Sequence, residues 1–317
     1  MRTSGLWVTT LIALTGCTSG QGPAEPSVPT LAFGNHSFSL EVDGRSRSFL
    51  VRIPPPGPQG YPSPVLLAFH GGGGNPEQFR ETAGLDAVAD REGVVVIYPA
   101  GTGLVEGTLT WNAGPGCCGF ARDEDIDDVG FVLAILDDLA DRHPVDSLRV
   151  FVTGHSNGSM MAYRIASEVP RRIAGAVGVA GTMQLPTVHP SLPVPVLHIH
   201  SEDDPRAYYE GGVRDDRVHP PVSEMLDLWA EVNGCDPLPV EVETRTGSAS
   251  GPDSGHAARL LRWSCGAAPL EHWKLTGAGH SWPGHRAPPA WALVVGPSTE
   301  VISAAEEVWR FMASLDD

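Results

Sequence analysis

The chain has 317 residues, of which 41% are hydrophobic and 19% are charged, and its formal net charge is −17. This length and apolar content are sufficient for one large folded domain with a substantial core. The acidic balance argues against a nucleic-acid partner, which needs a basic surface, and against polybasic attachment to an anionic membrane.

The first 17 residues have the features of a targeting segment. Arg2 supplies a positive charge, the apolar run 6–14 is too short to span a bilayer, and small residues precede Cys17. This ending resembles a bacterial lipobox, in which the cysteine is lipid-modified and becomes the new N-terminus. We therefore expect a lipoprotein signal peptide over 1–17, lipidation at Cys17, and a flexible tether over 18–35. An ordinary secretion signal with an incidental cysteine is the alternative.

The rest of the chain, 36–317, alternates predicted strands and helices. Strands are predicted at 37–41, 47–53, 65–69, 94–98, 148–153, 173–179, 194–199, 240–246, 258–263 and 270–275. Helices are predicted at 76–91, 127–142, 159–166, 224–232 and 298–314. The continuous apolar runs at 65–69 and 94–98 are typical of strands buried on both faces. The alternation predicts an α/β fold, with a mostly parallel sheet covered by helices on both faces, in one domain.

A Gly-x-Ser-x-Gly motif at 154–158 falls where the predicted strand 148–153 turns into the helix 159–166. Glycine has no Cβ, so the strand and the helix can approach closely while Ser156 is held in a strained turn. This setting predicts a nucleophile elbow with Ser156 as the nucleophile, the arrangement found in α/β-hydrolases.

A serine hydroxyl is a weak nucleophile at neutral pH, so Ser156 needs a histidine base and an acid that orients the base. In α/β-hydrolases the acid and then the histidine follow the serine along the chain. Acids at 202–204 follow the predicted strand 194–199, and His280 lies in the glycine-rich loop 277–284. We therefore expect His280 to be the base, with His285 as a second candidate.

The negative charge that develops on an ester oxygen needs at least two backbone N–H donors. Asn157, directly after the nucleophile, can supply one, and Gly72 in the glycine-rich run 70–74 can supply the other. The same run fits a phosphate-binding loop less well, because neither a Gly-Lys-Ser/Thr ending nor a Gly-x-Gly-x-x-Gly spacing is present.

No metal site and no cofactor are expected. His198 and His200 lie on one face of a predicted strand, where a metal pair is conceivable, but no third ligand is evident. Packing or hydrogen bonding at the strand end is the favoured interpretation. The acidic run 123–128 lacks the glycine and the closing glutamate of a calcium loop, and it is better explained as a helix start capped by Asp127.

Four cysteines remain after the N-terminal one. Cys235 and Cys265 would close a loop of about thirty residues, worth about 3 to 4 kcal/mol in the chain-entropy model. The neighbours Cys117 and Cys118 are harder to assign, because Cα atoms about 3.8 Å apart lie below the usual disulfide range.

Taken together, these patterns resemble the secreted esterases of the polyhydroxybutyrate depolymerase and feruloyl esterase type, including their bacterial lipoprotein members. The resemblance covers about residues 36 to 315. The matching motifs are His-Gly-Gly-Gly-Gly-Asn at 70–75, Trp-Asn at 111–112, Cys-Cys-Gly at 117–119, Asp-Asp-Val-Gly-Phe at 127–131, the motif at 154–158, and Gly-His-Ser-Trp-Pro-Gly at 279–284.

The resemblance also selects the acid of the triad. His200 followed by Asp204-Pro205 matches the His-x-x-x-Asp-Pro pattern of the family, which implies that Asp204 is the triad acid. The segment 201–203 is bulkier and more acidic than is usual in the family, so Asp203 remains a rival. The resemblance, together with the export signal, implies a Cys235–Cys265 disulfide.

The sequence as a whole predicts an extracytoplasmic carboxylic ester hydrolase, anchored at the membrane through its N-terminal lipid, that forms an acyl-enzyme. Feruloyl, acetyl or hydroxyalkanoate esters are the expected substrates, with Trp111 and Trp282 in contact with them. No polymer-binding module follows the last predicted helix, which favours a small or oligomeric ester. The alternatives are a serine peptidase or acyltransferase, and a catalytically silent surface protein that binds ligands through the two tryptophans.

Overall fold

The computed structural model describes residues 29–55, 62–185, 190–214 and 217–315. The predicted signal peptide, Cys17 and the first part of the predicted tether lie outside the described residues. None of the helices in the described ranges is long and apolar enough to cross a membrane.

Fourteen strands are described. In chain order they are β1 (Gly34–Val42), β2 (Arg45–Ile53), β3 (Ser63–Phe69), β4 (Val95–Pro99), β5 (Thr102–Val105), β6 (Thr108–Thr110), β7 (Val145–His155), β8 (Gly175–Val179), β9 (Val196–Ser201), β10 (Gly212–Arg214), β11 (Arg217–His219), β12 (Val240–Thr246), β13 (Ala257–Arg262) and β14 (Leu270–Thr276). Ten of them form one sheet in the order β1-β2-β4-β3-β7-β8-β9-β14-β13-β12. The centre, from β4 to β14, is parallel, and both edges are antiparallel.

The helices of the described ranges are α1 (Pro76–Ala83), α2 (Leu85–Glu92), α3 (Phe120–Asp123), α4 (Asp128–Arg142), α5 (Asn157–Glu168), α6 (Val222–Val232), α7 (Pro289–Val295) and α8 (Ala304–Ala313). They cover both faces of the sheet. Val65 and Leu67 of β3 pack in the same core cluster as Ile135 of α4, whereas Leu66 packs on the opposite face with Val308 of α8. This alternation along one buried strand confirms the predicted α/β architecture.

Two helices differ from the sequence prediction. The predicted helix 76–91 is broken at Gly84, which has a φ of 71° and ends α1 before α2 begins. Glycine adopts this left-handed conformation without a steric penalty, so Gly84 alone accounts for the break between the two helices. The predicted helix 298–314 begins only at Ala304, because the side chain of Ser303 accepts a hydrogen bond from the backbone N–H of Glu306 and caps the helix there.

Two disulfides are described. Cys235 after α6 is joined to Cys265 after β13, the pair that the sequence analysis selected. Cys117 and Cys118, which the sequence left unassigned, are joined to each other. Cys117 also lies beside α5, since its Sγ is 3.7 Å from the side-chain nitrogen of Asn157.

Candidate active site

Ser156 occupies a sharp turn between the end of β7 and the start of α5. Its φ of 56° and ψ of −120° are rare for a residue with a side chain and mark local backbone strain. A Cβ at Gly158 would overlap the carbonyl of Phe69, and a Cβ at Gly154 would overlap the backbone of Gly158. Both motif glycines are therefore required for β3, β7 and α5 to meet beneath the serine.

The His280 ring bridges Ser156 and Asp204. Its Nε2 lies 2.8 Å from Oγ of Ser156, and its Nδ1 lies 2.7 Å from Oδ2 of Asp204. An ionised carboxylate only accepts hydrogen bonds, so Nδ1 carries the proton and Nε2 is free to accept one from the serine hydroxyl. This arrangement gives Nε2 the protonation state of a general base.

The loop that carries His280 is fixed by backbone hydrogen bonds to the segment at the end of α7. The N–H of His280 donates to the carbonyl of Val295 at 2.5 Å, and the N–H of Gly279 donates to that of Pro297 at 2.7 Å. A Cβ at Gly279 would overlap the carbonyl of Val295. The close approach that positions the base therefore requires glycine at this position.

Asp204 is buried and has donors on both carboxylate oxygens. Oδ1 accepts hydrogen bonds from the backbone N–H groups of Arg206 at 2.7 Å and Ala207 at 2.8 Å. Burial of the carboxyl favours its neutral form, but the neighbouring His280 and the hydrogen bonds from His200 and His280 outweigh this effect and hold the pKa of Asp204 well below its usual range. Asp204 is therefore ionised at neutral pH.

The rival acid and the second candidate base have other contacts. The carboxylate of Asp203 accepts a hydrogen bond from the backbone N–H of Gly277 at 2.7 Å, and so it anchors the start of the loop that carries the base. His285 is half-buried on the wall of the cleft, and its backbone N–H donates to the carbonyl of Trp282. It is His280 that contacts both Ser156 and Asp204.

The glycine-rich turn after β3 packs against the start of α5. A Cβ at Gly72 would lie 3.4 Å from the Cβ of Asn157. The side-chain amide of Asn157 is hydrogen-bonded to the backbone of Trp111: Oδ1 accepts from the N–H at 2.7 Å, and Nδ2 donates to the carbonyl at 3.2 Å. The backbone N–H of Asn157, in the first turn of α5, has no acceptor within the helix, and the helix dipole favours negative charge beside it.

Two further histidines next to the serine are neutral. Burial lowers the pKa of His70 to about 4 and that of His155 to about 3. The Nε2 of His70 accepts from the backbone N–H of Gly101 at 3.1 Å, and its Nδ1 donates to the carbonyl of Gly71 at 2.8 Å. His70 therefore fixes the glycine-rich turn without adding charge to the site.

The reactive groups open into a cleft of about 630 Å³. The cleft is lined by the glycine-rich turn, by α1, by the loop after His280 and by α7. The lining residues include Gln78, Phe79, Thr82, Arg206, Trp282, Trp291 and Val294.

The predicted substrate contacts are corrected in part. Trp111 has none of its surface exposed, and its Nε1 donates to the carbonyl of His70 at 2.9 Å, so it supports the glycine-rich turn from behind and has no face toward the cleft. Trp282 does line the cleft, with its ring against Phe79. The sequence analysis missed Trp291, which is 56% exposed on α7. The apolar run 290–295 after two prolines was the available signal for that helix.

His198 and His200 hydrogen-bond to each other through Nε2 and Nδ1 at 3.0 Å, in agreement with the hydrogen bonding that the sequence analysis favoured over a metal pair. Within the described ranges, no group of three or more His, Cys, Asp or Glu side chains could hold a metal ion.

Comparisons with known proteins identify the family of the chain. Residues 48–230 match the family described as "Esterase PHB depolymerase". This segment is more than half of the chain and contains Ser156 and Asp204, while His280 lies beyond it. The Nocardia uniformis subsp. tsuyamanensis protein named "Putative esterase NocK" is 30% identical over 98% of both chains. "Feruloyl esterase C" of Emericella nidulans is 24% identical over 84% of this chain and 96% of its own length.

Among solved structures, an S-formylglutathione hydrolase from Agrobacterium tumefaciens superposes with a TM-score of 0.53. The match covers 90% of this chain and 98% of the hydrolase at 15% sequence identity, and so it supports the fold alone. The family match and the full-length relative carry the further conclusion: the chain belongs to the esterase PHB depolymerase family and is a serine esterase with the α/β-hydrolase fold.

Proposed function

We propose that Ser156, His280 and Asp204 form the catalytic triad of a carboxylic ester hydrolase. The observation that carries this proposal is the continuous hydrogen-bond chain from Oγ of Ser156 through both ring nitrogens of His280 to the buried Asp204, at the floor of an open cleft. The same three residues follow the order serine, acid, histidine that is typical of this fold.

In the proposed reaction, Oγ of Ser156 attacks the ester carbonyl while Nε2 of His280 takes the hydroxyl proton. The tetrahedral intermediate collapses, the bond to the alcohol oxygen breaks, and His280 returns the proton to the leaving alcohol. Water then attacks the acyl-enzyme, again with His280 as the base, and releases the acid and the free serine. Asp204 stays ionised throughout and stabilises the imidazolium that forms twice in each cycle.

The backbone N–H groups of Asn157 and Gly72 are the proposed oxyanion donors. Support comes from the contact between the glycine-rich turn and the first turn of α5 beside Ser156. Preorganised backbone donors stabilise the developing negative charge without a reorganisation cost at the moment of reaction.

Small or oligomeric esters with feruloyl, acetyl or hydroxyalkanoate acyl groups are the proposed substrates. The lining of the cleft includes the apolar side chains Phe79, Trp282, Trp291 and Val294, and a relative named feruloyl esterase matches most of the chain. No cofactor, metal or nucleic acid enters the proposed reaction.

Labelling with a fluorophosphonate probe tests the triad. The activated serine should be modified, and mass spectrometry of the peptides should place the adduct on Ser156 with loss of esterase activity. A catalytically silent binding protein would remain unlabelled. Parallel assays with matched amides, and with added acceptor alcohols, separate an ester hydrolase from a peptidase or an acyltransferase.

Trp291 is expected to contribute to acyl recognition, since its half-exposed ring lines the cleft. Trp291→Ala should lower kcat/KM for methyl ferulate by about 3- to 10-fold, the size of one aromatic contact, with little change for a methyl acetate control. Leu293 on the same helix is 90% exposed but does not line the cleft, so Leu293→Ala is the matched control. Equal losses on both esters, or equal losses in both variants, would remove Trp291 from substrate recognition.

We also propose that the protein is extracytoplasmic and held at a membrane by lipid on Cys17. The lipobox-like ending of the N-terminal segment and the two disulfides support this location. Cys17→Ser should move esterase activity from the membrane fraction to a soluble fraction without a change in kcat. Mass spectrometry that finds a mature N-terminus elsewhere, without lipid, would contradict the anchor.

A further inference from the structure

A buried hydrogen-bond chain leads from the helix α5 to the carboxylate of Asp204. Oη of Tyr163 lies 2.8 Å from Nδ1 of His198, and Nε2 of His198 lies 3.0 Å from Nδ1 of His200. Nε2 of His200 then lies 2.8 Å from the carbonyl oxygen of Ala207 and 3.3 Å from Oδ2 of Asp204. Tyr163 and both histidines have almost no exposed surface.

The acceptors beside Asp204 fix the position of one proton in this chain, the proton on Nε2 of His200. A carbonyl oxygen and a carboxylate cannot donate, so Nε2 of His200 must carry a proton. In the arrangement in which both rings are neutral, Nε2 of His198 donates to Nδ1 of His200. Nδ1 of His198 is in turn an acceptor, and the hydroxyl of Tyr163 donates to it.

Burial of the hydrogen-bond chain keeps His198 neutral. Burial, together with the neighbouring His200 and His272, lowers the pKa of His198 well below its usual value. In the neutral arrangement, every donor in the chain points toward Asp204.

A second set of contacts holds His198 in register. His272 on β14 donates from Nδ1 to the carbonyl of His198 at 3.0 Å, and Nε2 of His272 lies 2.9 Å from the hydroxyl of Tyr209. Burial lowers the pKa of His272 to about 3, so Nε2 is unprotonated and accepts from Tyr209. β9, which carries His198 and His200, is therefore joined to β14, which carries His272, by a side-chain hydrogen bond as well as by the backbone hydrogen bonds of the sheet.

We propose that His200 is a positioning residue that holds Oδ2 of Asp204 in line with Nδ1 of His280, with its tautomer imposed by Tyr163 through His198. Two backbone N–H groups already hold Oδ1 in place. The remaining freedom of the carboxylate to rotate is therefore limited by the hydrogen-bond partners of Oδ2. Oδ2 faces His280, which must move charge during the reaction, and His200, which does not take part in proton transfer. His200 therefore supplies a constant donor to the oxygen that orients the base.

This inference rests on the triad proposed above. It differs from a simple packing role, because packing requires only the volume of the imidazole and makes no demand on its protons.

Two variants of His200 separate the donor from the volume. His200→Gln places an amide N–H near the position of Nε2, whereas His200→Leu has similar bulk and no donor. We expect His200→Leu to lower kcat by about 10- to 100-fold, the effect of a misplaced catalytic group, with KM little changed. His200→Gln should recover most of kcat. Wild-type kcat in folded His200→Leu, or equal losses in both variants, would overturn the proposal.

A measurement on the unmodified protein applies even if a variant fails to fold. Nitrogen-15 NMR of histidine-labelled enzyme should show His198 and His200 as neutral rings with the proton on Nε2, and His272 with the proton on Nδ1. A proton on Nδ1 of His198, or none on Nε2 of His200, would reverse the chain and overturn the proposal. This result does not depend on activity, so it is distinguishable from a failure of the triad, which would appear as retained activity in Ser156→Ala.

Discussion

Replacing Ser156 with alanine is expected to lower kcat by at least about a thousandfold while leaving the fold intact. The side chain lines the cleft, and its Oγ is hydrogen-bonded to Nε2 of His280, so alanine removes the nucleophile and this hydrogen bond. The backbone strain at φ 56° belongs to the turn and remains. Steady-state kinetics on a chromogenic acetate ester measures the loss, and thermal unfolding checks the fold.

Ser281 provides the matched control for this experiment. It also lines the cleft and directly follows the base in the chain, but the histidine contact at Nε2 is made by Ser156. Ser281→Ala should therefore retain most of the activity. If Ser156→Ala kept more than about a tenth of the wild-type rate, the nucleophile assignment would be wrong, because loss of a triad serine costs several powers of ten.

The double variant Ser156→Ala/His280→Ala extends the same expectation. Triad members act as a unit, so the double variant should lose about as much activity as either single variant. If the fold-loss of activity in the double variant equalled the product of the two single losses, Ser156 and His280 would contribute independently, and His280 would not be the base that activates Ser156.

The parts of the fold that the sequence predicted are those with a strong local pattern. β3 and β4 contain continuous apolar runs because both faces of these strands are covered. The strand–turn–helix at Ser156 depends on Gly154 and Gly158, where a side chain would overlap the neighbouring backbone. The break at Gly84 was missed because a single glycine in a helical pattern is compatible with either continuation or a cap, and tertiary packing decides between them.

The site was predictable in composition but not in arrangement. Local sequence shows that acids follow β9 but does not show which carboxylate turns toward His280; Asp204 was selected through the family resemblance, with Asp203 as the rival. The structure separates them by their partners, since Asp203 contacts Gly277 and Asp204 contacts the base. The role of Trp111 was missed for the same kind of reason: an aromatic residue in a loop can serve as a ligand contact or as buried support, and only the packing of Asn157 and His70 around it distinguishes the two.

Asp204→Asn is expected to lower kcat by about 10⁴-fold. An asparagine fits the same space and can keep an oxygen toward the backbone N–H groups of Arg206 and Ala207. Its amide nitrogen would then face Nδ1 of His280 and favour the tautomer with the proton on Nε2, which cannot accept a proton from Ser156. The pKa of Asp204 is held well below its usual range, so the wild-type residue is fully charged at the neutral pH of the comparison.

Asp203→Asn is the matched control, because it is the adjacent acid with the same change in charge and size. Its side-chain oxygen can still accept from the N–H of Gly277, so we expect kcat within a few-fold of the wild type. Measuring both variants against the same ester panel separates the loss of an orienting carboxylate from a general effect of charge near the cleft. The reverse ranking would transfer the role of the triad acid to Asp203, and it would require the loop between β9 and Arg206 to turn in the active enzyme so that the carboxylate now bonded to Gly277 reaches His280.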